Sequence, residues 1–129
     1  MKTGIPTIVG VVVLGLVVTS VAGDADRGKE VYDTIGACFA CHGADGKGDT
    51  PVAASLNPKP RSFVIGEFLY DTDEDGAKGT KADLKNIIKY GAAKYGGSVM
   101  MAGRADLSDE DVDALVAFIL SLKTVENVE

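Results

Sequence analysis

Five consecutive residues constrain this chain more than any other feature of its sequence. Its only two cysteines, Cys38 and Cys41, and its only histidine, His42, form a single C-x-x-C-H motif. Two thiols three positions apart can bond to the two vinyl groups of a haem while the histidine that follows reaches the iron. The sequence therefore predicts one covalently attached haem c.

Other uses of the same residues fit the sequence less well. A structural zinc ion needs four ligands, and two cysteines with one histidine leave it short unless a carboxylate completes the site. A thioredoxin-like C-x-x-C belongs to a β-α-β pattern, whereas no alternating or apolar strand pattern precedes Cys38. A disulfide between Cys38 and Cys41 would close a very small loop and add little stability.

The beginning of the chain has the features of an export segment. Lys2 supplies a positive charge, residues 5–18 are almost entirely apolar, and Ser20, Val21 and Ala22 resemble a cleavage site. The apolar stretch is also close to the length of about 20 residues that a membrane-spanning helix needs. Residues 1–23 are therefore predicted to be either a cleaved signal peptide or a retained hydrophobic anchor helix.

Residues 24–129 are predicted to form one haem domain on the periplasmic side of the cytoplasmic membrane, soluble after cleavage or anchored by residues 1–22. Setting Lys2 aside leaves 12 of the 13 basic residues against 19 acidic ones. This acidity argues against binding to nucleic acid or anionic lipid, and it suits redox partners with basic docking patches. An acid excess that serves only solubility explains the same charge equally well.

The exported part contains no disulfide-forming cysteines beyond the haem motif, and it is small. The haem must then supply much of the hydrophobic core. We therefore expect the apoprotein to be largely unfolded.

Capping residues and hydrophobic periodicity predict helices in three parts of the chain. The first helix is expected to begin near Asp24 or Asp26, either of which can cap it, and to end at Gly36. Gly28 lies inside this helix, where glycine is unfavourable. It indicates either a close helix crossing or a position that faces solvent.

Two further helices are predicted in the second half of the chain. One covers residues 81–90 and ends at Gly91. The other begins after the N-cap Ser108, with three acidic residues in its first turn. Its expected buried stripe comprises Val112, Leu115, Val116, Ile119 and Leu122, with Phe118 at the edge.

The segments between the helices are rich in glycine and proline. Residues 43–49 alternate glycine with polar residues and are predicted to be irregular. Pro58 and Pro60 enforce an extended path, and they flank Lys59. Either Lys59 or Arg61 is a candidate partner for a haem propionate, although such side chains usually face only water.

The acidic residues 71–76 match the beginning of a calcium-binding EF-hand loop, with oxygen ligands at alternating positions before Gly76. The match ends there. Ala82 stands where the bidentate acid at position twelve belongs. Calcium binding is therefore not expected, and an acidic solvated loop is the interpretation.

The segment before the last helix contains two neighbouring methionines, Met100 and Met101. A thioether in this loop is a candidate for the second axial ligand of the iron, which would raise the haem potential. The alternative is that both methionines are flexible core filler.

Taken together, these features resemble the class I c-type cytochromes of the bacterial monohaem group, over nearly all of residues 24–129. The matching elements are Gly28 with Tyr32, the C-x-x-C-H motif, the glycine-rich loop after it, the turn 57–61, Gly79-Thr80-x-x-Asp83-Leu84, and the last helix from Leu107 to Ile119.

The resemblance implies a small all-α fold of about four helices around one haem, with the first and last helices crossing. It also implies Cys38 and Cys41 as thioether anchors and His42 as the proximal ligand. The distal ligand would be a methionine before the last helix. The family usually has Met-Pro there, whereas this chain has Met100-Met101-Ala102. The spacing to Leu107 favours Met101, and Met100 remains the alternative.

The predicted function is one-electron transfer without transformation of a substrate, so the chain is not expected to be an enzyme. It would act as a periplasmic carrier or as the haem subunit of a membrane-bound oxidoreductase complex. The alternative function is an open-site haem protein that binds a diatomic ligand or peroxide. That alternative needs a distal acid-base residue, and the sequence has no second histidine.

Overall fold

The computed structural model describes residues 21–124, with side chains from Asp24 onward. Most of the hydrophobic segment expected in residues 1–23 therefore lies outside the described residues. The elements in chain order are α1 (Val21–Asp33), α2 (Phe39–His42), α3 (Pro51–Ala54), α4 (Lys81–Tyr90), a 3₁₀ turn (Ala92–Tyr95) and α5 (Asp109–Ser121). Residues 21–124 contain no strand, which confirms the all-α prediction.

Three of these helices are long and carry the fold, whereas α2 and α3 are single turns. None of the helices in residues 21–124 has both the length and the apolar character needed to cross a bilayer.

The predicted boundaries of α1 were wrong at both ends. The helix already exists at Val21, so neither Asp24 nor Asp26 is its N-cap, and Asp24 lies in the first turn. At the other end, α1 stops at Asp33. Gly36 comes three residues later, where its N–H donates to the carbonyl of Val31 at 2.8 Å.

The crossing of α1 and α5 is the centre of the fold, and it confirms the close approach predicted at Gly28. A Cβ atom added to Gly28 would overlap with the backbone carbonyl of Ala114 and lie 2.7 Å from Cβ of Phe118. Four residues further on, the ring of Tyr32 packs edge-on against Phe118, with centroids 5.1 Å apart. The missing side chain of Gly28 therefore allows α1 and α5 to touch through their backbones.

α5 supplies most of the core, as its hydrophobic periodicity predicted. Ser108 caps the helix by accepting a hydrogen bond from the N–H of Asp111. The predicted stripe faces inward, and Leu122, just past the end of the helix, is partly buried. The fully or nearly fully buried members of the core include Val31, Tyr32, Val112, Leu115, Val116, Phe118 and Ile119.

α4 begins with a capping box. The Thr80 side chain accepts a hydrogen bond from the N–H of Asp83, and the Asp83 side chain accepts one from the N–H of Thr80. The helix ends at Gly91, as predicted, and Gly91 adopts a positive φ of 83°. Leu84 and Ile88 pack against the α5 core.

Asp83 is more than a capping residue, because its carboxylate joins α4 to the preceding loop. The residue is only 1% exposed, and its two oxygens accept hydrogen bonds from the N–H and hydroxyl groups of both Thr72 and Thr80. Burial opposes ionisation, but these four donors outweigh it and lower the pKa of Asp83 to about 2. Asp83 is therefore a buried anion that the surrounding donors stabilise.

Replacing Asp83 with alanine should destabilise the fold by about 2–4 kcal/mol, since it removes a helix cap and leaves buried donors without an acceptor. The Asp83 pKa lies below its value of about 3.9 in the unfolded chain. Its contribution is therefore complete above about pH 4 and is lost as the pH falls towards 2. Urea unfolding of the wild type and of Asp83→Asn between pH 2 and pH 7 measures this loss. Equal pH dependence in the two proteins would contradict the assignment.

Asp83 belongs to a group of three carboxylates that lie close to one another. Oxygens of Asp71, Asp73 and Asp83 lie within 4.8 Å of one another. Protein donors already occupy two of these groups, because Asp71 accepts hydrogen bonds from the N–H groups of Asp75 and Gly76 and Asp83 accepts the four described above. The absence of bound calcium here stays a prediction.

Candidate functional site

A cavity of about 580 Å³ opens between α2, α4, the inner face of α5 and residues 98–103, which we call the methionine segment. It is within the size range of typical cofactor sites. Every residue that the sequence singled out for haem binding lines it: Cys38, Cys41, His42, Lys59, Arg61, Met100 and Met101. Its apolar walls come from α4 and α5, through Leu84, Ile87, Ile88, Leu115 and Ile119, and from the loops, through residues such as Leu56, Phe63, Phe68 and Leu107.

The C-x-x-C-H motif forms α2 and the residue that caps it. The N–H groups of Cys41 and His42 both donate to the carbonyl of Cys38, at 3.3 and 3.0 Å. One helical turn therefore brings both sulfurs and the imidazole to the same cavity wall. The two cysteines are not bonded to each other.

His42 is held in one orientation from two sides. Its imidazole is stacked on the ring of Phe63, with centroids 4.3 Å apart and planes inclined by 18°. Its Nδ1 lies 3.1 Å from the carbonyl oxygen of Arg61. Because a carbonyl can only accept, Nδ1 carries the proton and Nε2 keeps its lone pair. This is the tautomer that binds a metal through Nε2.

The electrostatics of His42 also favour the neutral ring. The residue is 9% exposed, and burial lowers the pKa of its imidazole, while the hydrogen bond with Arg61 opposes that change. The imidazole is therefore unprotonated at neutral pH, as a metal ligand must be.

The backbone beside His42 is fixed from the core. The hydroxyl of Tyr32 donates to the carbonyl of Gly43 at 2.6 Å, and the N–H of Gly48 donates to the carbonyl of His42 at 2.8 Å. Gly43 and Gly48 have φ values of 81° and 69°, which side-chain-bearing residues rarely adopt. The glycine-rich loop thus lacks regular structure, as predicted, but it has defined contacts.

Burial raises the pKa of the Cys38 thiol, and the positive charge of Arg104 only partly opposes this. Redox-active C-x-x-C motifs instead have a thiol with a lowered pKa. The thioredoxin-like interpretation of the motif therefore finds no support in the environment of Cys38.

The two methionines differ in their surroundings, although both line the cavity. Met100 is 65% exposed, whereas Met101 is partly buried. The backbone of Met101 is held at both ends, because its N–H donates to the carbonyl of Ser98 at 3.2 Å and its carbonyl accepts from Ala92 at 3.0 Å. The N–H of Met100 also donates, to the hydroxyl of Ser98 at 3.1 Å, so Met101 differs in its bonded carbonyl and in its lower exposure.

Lys59 and Arg61 lie at the mouth of the cavity with exposed side chains. Neither forms an ion pair with an acid in the part of the chain that the structure describes. The carbonyl of Arg61 has a second role, since it is the acceptor for Nδ1 of His42. This backbone contact cannot be predicted from the sequence.

The donors around the cavity fit a haem. They provide two thiols on one turn, an imidazole with Nε2 available, thioethers on a separate segment and extensive apolar walls. Thiol, imidazole and thioether are the side chains that bind haem c and its iron.

Two contributors to this site are not predictable from the sequence. The hydrogen bond of Tyr32 to Gly43 joins positions 11 residues apart. Arg104 lines the cavity together with Cys38. No local sequence pattern distinguishes Arg104 from an ordinary surface arginine.

Comparison with known proteins agrees with the geometry. The family model for cytochrome c matches residues 25–123. Cytochrome c-554(547) of Halothiobacillus neapolitanus is 35% identical over 104 residues, which cover 79% of this chain and 100% of that protein. The CcoP subunit of a cbb3-type cytochrome c oxidase from Helicobacter pylori is 33% identical over 105 residues, covering 79% of this chain but 29% of the subunit.

A solved structure gives the same result. A chain of the Kuenenia stuttgartiensis reducing HAO-like protein complex Kustc0457/Kustc0458 superimposes with a TM-score of 0.62 at 31% identity, over 76% of this chain and 42% of that one. The chain thus spans less than a third of the oxidase subunit, and less than half of this structural relative, but the whole of cytochrome c-554(547). With the match over residues 25–123 and the haem-compatible cavity, the chain belongs to the cytochrome c family, whose members carry covalently bound haem c and transfer electrons through it.

Proposed function

We propose that this protein is a one-electron carrier with one haem c, held by Cys38 and Cys41 and ligated by His42 and Met101. The observation that carries the proposal is the convergence of both thiols, the imidazole and the methionine segment on one apolar cavity. The bound haem supplies an iron that alternates between the ferric and ferrous states. The protein supplies ligands, orientation and exclusion of water.

Within this proposal, each side chain has a distinct task. The hydrogen bond from Nδ1 of His42 to the Arg61 carbonyl fixes the ring and increases the basicity of Nε2. The thioether of Met101 raises the reduction potential relative to an open or nitrogen-ligated iron. The guanidinium of Arg61 pairs with a propionate at the cavity mouth, with Lys59 as the alternative partner.

Met101 is the preferred axial ligand for a structural reason. Its backbone is hydrogen-bonded on both sides, so its side chain starts from a defined position. The side chain of Met100, the residue before Met101, is largely exposed. A ligand that must hold the same position in both oxidation states is better placed on an anchored backbone than on an exposed one.

The alternative, an open-site haem protein, makes a different prediction about the sixth iron position. We expect carbon monoxide to change the visible spectrum of the dithionite-reduced protein only slowly, because Met101 occupies that position and must first leave it. Met101→Ala should bind carbon monoxide fully and have a lower reduction potential, and the matched control Met100→Ala should resemble the wild type. A prompt spectral shift in the wild type would favour the open-site function, and exchanged behaviour of the two variants would identify Met100 as the ligand.

We further propose that residues 24–129 form the haem domain and that residues 1–23 direct it to the periplasmic side of the membrane. The charge pattern of the N-terminus supports this. Redox partner proteins with basic patches suit the acidic domain. Because relatives include both a small cytochrome and an oxidase subunit, a free carrier and a subunit of a membrane complex are both consistent with the family. The intact mass of the mature protein distinguishes a cleaved segment from a retained anchor.

A further inference from the structure

Arg104 connects two parts of the chain that are far apart in sequence and adjacent at the cavity. Its guanidinium donates to the carbonyl oxygens of Gly36 at 2.8 Å and Ile35 at 2.7 Å. These residues are 68 and 69 positions away, in the turn that leads directly into Cys38. Arg104 is the residue that directly follows the methionine segment (residues 98–103).

In the described part of the chain, no backbone N–H group donates to these two carbonyls, those of Ile35 and Gly36. Both lie just past the end of α1, where carbonyl groups are left without intrahelical donors and a cation is favourable. Arg104 therefore satisfies two acceptors that the turn cannot satisfy itself.

The guanidinium is also oriented from its other side. Asp106 accepts hydrogen bonds from Nε and from one terminal nitrogen of Arg104, both at 2.8 Å. Arg104 makes four hydrogen bonds to one carboxylate and two carbonyls, whereas a lysine ammonium has only three N–H donors. The side chain is 32% exposed, so these contacts form at the edge of the cavity and not deep in the core.

The backbone of Arg104 anchors the methionine segment to α4. Its N–H donates to the carbonyl of Ile88 at 2.7 Å, and the N–H of Ala92 donates to the carbonyl of Met101 at 3.0 Å. A Cβ added to Gly103 would lie 2.6 Å from the carbonyl of Lys89. The segment therefore lies against α4 through its backbone, and the side chain of Arg104, the next residue, connects its end to the turn before Cys38.

We propose that Arg104 is a positioning residue that clamps the methionine segment to the turn before Cys38, and so keeps the sixth iron position closed by Met101. This inference rests on the proposed function. Without the clamp, the segment is attached to α4 alone and swings away from the cavity more often. The iron ligand is then lost for part of the time, although the fold persists.

The test compares Arg104→Lys and Arg104→Gln with Arg27→Lys, all as the haem-loaded full chain. Arg27 is a matched control because it is also an arginine that joins distant segments, bonding Asp111 on α5 from a position on α1. The rate of carbon monoxide binding to the reduced protein should rise at least about tenfold in both Arg104 variants, since two charge-assisted hydrogen bonds are weakened or lost. It should stay at the wild-type value in Arg27→Lys.

Hydrogen exchange of the backbone amides provides a second readout. Amides of residues 98–103 should exchange faster in the Arg104 variants, while those of α5 keep wild-type protection. Wild-type carbon monoxide rates in both Arg104 variants, or faster exchange spread equally over the fold, would overturn the clamp. Prompt carbon monoxide binding by the wild type would instead overturn methionine ligation itself, so the two failures are distinguishable.

Discussion

Replacing Gly28 with alanine should destabilise the protein by about 3 kcal/mol or more, although alanine is intrinsically the better helix former by about 1 kcal/mol. The added Cβ would overlap with the Ala114 carbonyl and approach Cβ of Phe118 to 2.7 Å. A backbone carbonyl in a buried helix cannot rotate away as a flexible side chain does. α1 and α5 must therefore separate along their whole contact, and their packing is lost. Urea unfolding followed by far-ultraviolet circular dichroism measures the effect.

The control for this prediction is Lys29→Ala, on the neighbouring position of the same helix. Lys29 is exposed and pairs only with Asp33 on the surface, so its loss should change the free energy of unfolding by less than about 0.5 kcal/mol. A Gly28→Ala protein as stable as the wild type would mean that the two helices do not touch through their backbones. The predicted crossing would then be wrong.

The second large effect should follow removal of the haem. The Cys38→Ala/Cys41→Ala variant cannot form thioether bonds, and its haem-free form should be largely unfolded. Without haem, the apolar side chains that line the cavity of about 580 Å³ are exposed to water. That loss of burial is set against the whole stability of a small domain, which is only about 5–15 kcal/mol. The measurements are helix content and amide exchange.

Cys41→Ala alone is the control, because it retains one thioether anchor and should keep the haem-bound fold. Native helix content and cooperative thermal unfolding in the haem-free double variant would contradict the prediction. In that case the helices would form a sufficient core by themselves, and the haem would bind to a protein that is already folded.

The parts of the structure that could be predicted from sequence are those set by local rules. Gly91 ends α4 because the chain needs a positive φ there, and Ser108 caps α5 because its hydroxyl reaches the free N–H of Asp111. The C-x-x-C-H motif is equally local, since one turn of helix is enough to gather its three side chains. For Gly28 the prediction needed one more inference. A glycine is unfavourable inside a helix, so it indicated a close contact there, and the structure confirms that contact.

The parts that could not be predicted depend on residues distant in sequence. Asp83 is a capping residue by its pattern, but its contacts with Thr72 depend on how the preceding loop folds back. Arg104 is one of 13 basic residues, and only the folded chain shows that it meets the turn before Cys38. The predicted ends of α1 were wrong. Asp24 and Asp26 indicated an N-cap and Gly36 a stop, but the helix already includes Val21 and ends at Asp33.

The contact between Gly28 and α5 has a consequence for the order in which the protein can be made. The first described helix finds its partner only in the last one, about 86–90 positions later in the chain. A nascent chain that has emerged as far as Leu107 still lacks the surface against which Val31 and Tyr32 are buried. Synthesis therefore leaves Val31 and Tyr32 without their packing partner until α5 has emerged.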